Sequence, residues 1–66
     1  MEEIDIWRTA RVLMDVHGEA AGFAAARRAD ALIAKNDPEG VAVWMRVVRA
    51  IVELERQKPR KGEALN

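Results

Sequence analysis

The chain has 66 residues, with eleven basic and eleven acidic side chains and no cysteine. This length makes one small domain, and the lack of cysteine excludes disulfide bonds and thiolate metal sites. The balanced charge argues against a strongly basic nucleic-acid-binding protein, whose affinity depends on neutralising phosphates. Because a domain of this size buries only about 60% of the surface of its unfolded chain, we expect oligomerisation to add stability.

The chain begins with the acidic side chains Glu2, Glu3 and Asp5, whereas a secretory signal begins with basic residues. Its apolar runs are shorter than the roughly 20 residues that span a bilayer. These features predict a cytoplasmic protein without a membrane segment. The three carboxylates also suggest a site for a hard metal ion, but such a site needs a fixed frame. Stabilisation of the positive end of a helix dipole is the simpler explanation, so we predict no metal and no cofactor.

The spacing of apolar residues predicts an all-α protein with three helices, at about 4–17, 19–35 and 38–57. Gly18 suits the left-handed position that ends the first helix, and His17 is placed to cap its last carbonyl groups. Asp37 is a natural N-cap for the third helix, and Pro38 fits its first position. We expect a compact domain over residues 1–57 and a disordered basic tail over residues 58–66.

The second helix carries mostly small side chains on its inner face. Gly22 lies in its interior, where glycine costs about 1 kcal/mol relative to alanine. We therefore expect another backbone or a tryptophan ring to approach closely there, with Trp7 and Trp44 as the candidate rings. A pocket for a small molecule is the other interpretation of the tryptophans, but large aromatic side chains at helical spacing more often form core. The predicted core consists of Trp7, Leu13, Met14, Ala25, Ala29, Ile33, Trp44, Val48 and Ile51.

The third helix has two adjacent apolar stripes, which is more apolar surface than one neighbouring helix covers. The first stripe is Val41, Trp44, Met45, Val48, Ile51 and Val52, and the second stripe is Val43, Val47, Ala50 and Leu54. In one interpretation, the second stripe packs on the first helix of the same chain. In the other, which we favour, it meets a second copy, because two-fold dimers are the commonest oligomers and a bare apolar strip favours aggregation. The predicted interface is Val43, Val47, Ala50 and Leu54, with Val12 and Val16 of the first helix.

Several short sequence elements resemble a family of short, uncharacterised helical bacterial proteins, known only as a domain of unknown function. These elements are Ile6-Trp7, His17-Gly18 with Ala21 after it, residues 29–32, the turn at residues 37–41, and Trp44 with Arg46. The resemblance extends to about residue 54. It implies that the tryptophans, the His-Gly corner and the Asp-to-Gly turn form one structural unit. It implies no activity, cofactor or catalytic residue.

The chain offers little for catalysis. Histidine is a common general acid or base, but His17 is the only histidine and Thr9 the only hydroxyl side chain, so capping is the better explanation for His17. The second and third helices do not fit a DNA-binding helix–turn–helix motif. The recognition helix of that motif needs polar side chains, and the third helix is rich in apolar ones. We predict a non-enzymatic protein-interaction module that acts as a homodimer, with another protein as a possible further partner. The alternative is a nucleic-acid-associated regulator that uses the arginines of the third helix and the basic tail.

Overall fold

The computed structural model describes residues 2–57. Within this range the chain forms three α-helices: α1 (Glu3–His17), α2 (Ala21–Ala34) and α3 (Pro38–Arg56). A short 3-10 turn, Gly18–Ala20, joins α1 to α2. The prediction of an all-α domain is confirmed. The predicted second helix began at Glu19, but α2 begins at Ala21 because this 3-10 turn comes first. The predicted tail, residues 58–66, lies outside the described residues.

The corner after α1 depends on Gly18. Its φ is 57°, in a region that residues with a Cβ avoid, and its N–H donates to the carbonyl of Met14. This confirms the predicted role of Gly18 at the end of the helix. His17 is the last residue of α1 and is exposed. It therefore lies in the last turn, as predicted, although its side chain makes no capping hydrogen bond within the described residues.

The short turn between α2 and α3 caps the end of α2 and the start of α3. Asn36 has a φ of 58°, and its N–H donates to Ile33, while the N–H of Asp37 donates to Leu32. This is the Schellman arrangement that closes a helix C-terminus. The carboxylate of Asp37 then accepts from the N–H of Gly40 at 3.1 Å, and Pro38 occupies the first turn of α3. Both predicted caps are confirmed.

The core is built around α3. Its most buried side chains, Val47 and Ile51, have no exposed surface. The alanines of α2 and a stripe on α1 surround them. The core cluster consists of Ile6, Ala10, Met14, Ala21, Ala25, Val47, Ala50 and Ile51, with Leu13, Trp44, Val48 and Leu54 packed against it.

Two residues of the predicted core lie at the surface. Ile33 is 61% exposed and Trp7 is 37% exposed. Both are on helix flanks where no third helix covers them. The expected close approach at Gly22 is also absent: a Cβ there would lie 3.9 Å from Cγ2 of Ile51, which is ordinary van der Waals contact. The small face of α2 therefore packs at Gly22 against an isoleucine and not a tryptophan ring.

Truncating Ile51 and Ile33 to alanine compares a core site with a surface site. Ile51→Ala is expected to lower the free energy of unfolding by about 2–5 kcal/mol, because it leaves a cavity at a fully buried site. Ile33→Ala makes the same chemical change at an exposed site and is expected to cost about 0.5 kcal/mol or less. Urea denaturation followed by circular dichroism measures both, at a concentration where the chain is monomeric. Equal losses for the two variants would contradict the burial pattern.

The N-cap of α3 gives a second prediction. Asp37→Ala is expected to cost about 0.5–2 kcal/mol, since the N–H of Gly40 loses its acceptor. Asp37→Asn is the matched control, because asparagine is an equally good cap, and it is expected to keep most of that stability. Thermal unfolding of the two variants makes the comparison. A loss in the asparagine variant as large as in the alanine variant would show that the cap is not the source of the effect.

Candidate functional site

The second stripe of α3 lies inside the chain. Val47 and Ala50 are buried and share a core cluster with Ile6, Ala10 and Met14 of α1. Val43 and Leu54 are half-buried, and Leu54 packs against that cluster. The predicted interface is therefore wrong at Val47 and Ala50, because a second copy has no access to them. This stripe instead packs on α1 of the same chain, as the other interpretation proposed.

The α1 part of the predicted interface is separated from α3. Val12 and Val16 are both exposed and lie one turn apart on α1. They are outside the buried stripe of that helix. Since the second stripe of α3 lies beneath α1, the two valines do not form one continuous surface with it. They are an exposed apolar pair on the outer side of α1.

The first stripe of α3, which includes the predicted core residues Trp44, Val48 and Ile51, is partly open to solvent. Ile51 is buried, but Met45 is 43% exposed and Val52 is 48% exposed. Val41 and Val48, at the same side of the helix, are half-buried. Their spacing of four, three and four residues is the one by which a helix presents a seam to another helix. We call Val41, Met45, Val48 and Val52 the exposed seam.

The helix α2 extends this apolar surface. Ile33, exposed on α2, lines a shallow depression of about 350 Å³ together with Pro38, Val41 and Ala42 at the start of α3. Ile33 is thus next to the first residue of the exposed seam. We call the seam and Ile33 together the α2–α3 apolar face. It has no covering element among residues 2–57.

A groove of about 530 Å³ lies at the surface between α1 and α3. Ile6 and Ala50 lie at its base with Trp7 beside them, and its charged side chains are Glu3, Arg46, Arg49 and Glu53. Because carboxylates and guanidinium groups occur together, the groove favours neither anionic nor cationic ligands. Its location explains the exposure of Trp7.

The arginines of α3 do not make a continuous basic surface. Arg46 and Arg49 share the groove with Glu3 and Glu53. Arg56 is 3.7 Å from the carboxylate of Glu53 in an exposed ion pair. Nearby carboxylates weaken the attraction of these arginines for phosphate groups.

A third depression, of about 390 Å³, lies beside the corner between α1 and α2. It is lined by His17, Arg27 and Arg28 with Ala24 and Ala31 between them. The guanidinium carbon of Arg28 lies 5.6 Å from the ring centre of Trp44, within the range of a cation–π contact. All the charged side chains that line this depression are basic.

Thr9 and His17, the two side chains with catalytic potential, do not lie close to each other. The hydroxyl of Thr9 donates to the backbone carbonyl of Asp5 at 2.7 Å. His17 is eight residues further along the same helix, about 12 Å at the usual rise per residue, and thus beyond hydrogen-bond reach. Within residues 2–57, no group of three or more histidine and acidic side chains is placed to hold a metal ion.

No helix in the described part of the chain combines the length and the apolar character that a bilayer crossing requires. The comparisons with known proteins add no identification: no family model, curated protein or solved structure matches the chain. The resemblance to a family of short bacterial proteins stays a prediction, and the fold and surfaces of this chain carry the functional argument.

Proposed function

We propose that this chain is a non-enzymatic interaction module that acts as a cytoplasmic homodimer, with the α2–α3 apolar face as its interface. The observation that carries the proposal is the exposed seam. Met45 and Val52 remain substantially exposed on the helix that otherwise supplies the centre of the core. An apolar seam at coiled-coil spacing is typical of a surface that another helix covers.

A second copy of the chain is the partner that fits this face best. A two-fold dimer places the same patch on both sides of the interface, so each seam gains an apolar neighbour without a separate partner. The two α2–α3 hairpins then form a four-helix arrangement. The formal net charge is zero, so long-range electrostatic repulsion between the copies is small.

The free energy gained by burying this face favours a weak, reversible dimer. Covering the exposed parts of Ile33, Met45 and Val52 contributes about 1 kcal/mol for each side chain. Both copies contribute, so the gain is about 6 kcal/mol, only a little above the lower end of the association cost of about 4–15 kcal/mol. The half-buried seam residues add a smaller gain. We therefore expect the dimer to dissociate on dilution.

Charge placed in the seam tests the interface. Met45→Glu is expected to yield a monomer with unchanged helicity, because the dimer would bury an unpaired carboxylate. Val16→Glu introduces the same charge at an exposed valine of α1 and is expected to leave the dimer intact. Sedimentation equilibrium at micromolar to millimolar concentration measures both variants beside the original chain. A monomer at every concentration for the original chain, or dimer loss in the Val16 variant alone, would overturn the proposal.

The nucleic-acid alternative has less support from the geometry. The arginines of α3 lie among carboxylates, as described above, so the surface that it requires is electrostatically mixed. The basic tail that it also invokes is outside the described residues. This alternative stays a prediction, and retention on a nucleic-acid column that falls steeply with salt would support it.

A further inference from the structure

We propose that the depression beside His17 binds the phosphate group of a small organic phosphate. This site is separate from the α2–α3 apolar face and does not depend on self-association. It unites three features: basic side chains on one surface, no carboxylate in the lining, and two alanines that add apolar surface.

The basic side chains of this depression are available to a ligand. Arg27 and Arg28 have no carboxylate within ion-pair distance in the described part of the chain, where the ion pair is Arg56 with Glu53. Asp30, three residues after Arg27, is exposed and does not line the depression. Guanidinium groups match phosphate oxygens with paired, charge-assisted hydrogen bonds. Neither of these two guanidinium groups has a carboxylate partner among residues 2–57, so together they favour a phosphate over a neutral ligand.

The fold holds these groups in place. The corner at Gly18 turns the chain so that the last residue of α1 lies beside α2, which brings the imidazole of His17 next to the arginines. Contact with the ring of Trp44 restrains Arg28. A restrained side chain loses less conformational entropy when it binds. The imidazole adds a further ring N–H that can donate to a phosphate oxygen.

The alanines indicate an organic phosphate and not the free ion alone. Ala24 and Ala31 add apolar surface to the lining of the depression, and its volume of about 390 Å³ is larger than a phosphate ion requires. An apolar group attached to the phosphate gains by covering the two methyl groups. We therefore expect an aryl or alkyl phosphomonoester to bind more tightly than inorganic phosphate.

The single histidine provides a direct readout. The imidazole proton resonances of His17 are the only ones of their kind in the chain, so they are followed by NMR without ambiguity. The probes are phenyl phosphate, inorganic phosphate and, at the same ionic strength and pH, sodium chloride. The expected result is a saturable shift with both phosphates, at a lower concentration for phenyl phosphate, and no saturable shift with chloride.

A matched pair of variants assigns the binding to the depression. Arg27→Gln is expected to weaken phenyl phosphate binding about tenfold, which corresponds to about 1.4 kcal/mol, with unchanged helicity. Arg8→Gln removes the same charge from an exposed arginine of α1 that does not line the depression, and it is expected to leave the affinity unchanged. In a Trp7→Phe background, the fluorescence of Trp44 gives a second readout through Arg28.

Three results would overturn the assignment. If the His17 resonances shift without saturation, and shift equally with phosphate and with chloride, the shift reports ionic strength and not binding. Equal weakening in the Arg8 and Arg27 variants shows general charge attraction. Binding of a short single-stranded oligonucleotide without binding of phenyl phosphate identifies a nucleic-acid surface in place of a small-molecule site.

Discussion

The packing of Val47 and Ile51 between the other two helices is the interaction on which this structure depends. Both side chains are fully buried, and they lie on the side of α3 that meets α1 and α2. Burying such a side chain contributes about 1.5–3 kcal/mol, a large share of the stability of a small domain. This contact fixes the rotation of α3 about its axis. The same rotation decides which of its apolar side chains remain at the surface.

The composition of α2 explains why part of the apolar surface of α3 is left uncovered. Its buried residues, Ala21, Ala25 and Ala29, are all small, and alanine covers little of a neighbouring helix. Met45 and Val52 therefore extend past the edge of α2 and remain exposed. The α3 helix has two roles: its buried side chains stabilise the chain, and the exposed seam supports the proposed association. The basic depression beside His17 depends on the Gly18 corner and not on this packing.

The sequence predicted the helices and their caps well, because Gly18, Asp37 and Pro38 act through local backbone geometry. It placed Ile51 correctly in the core, but it assigned Val47 and Ala50, which are buried, to an interface between copies. Both stripes of α3 have the helical period, so which side chains are buried depends on where the other helices cross α3, which is a long-range property. The four-three-four spacing of the seam was present in the sequence and was a usable signal. The depression beside His17 was missed because it joins residues from two helices across a corner.

Methyl NMR with a soluble paramagnetic relaxation agent tests the two roles of α3 most directly. In dilute samples the account predicts strong broadening of the Met45 and Val52 methyl signals and little broadening of Val47 and Ile51. On concentration, Met45 and Val52 should become protected, while the exposed methyl groups of Val16 should broaden as before. Broadening of Met45 and Val52 that is independent of concentration, or strong broadening of Ile51, would contradict the account.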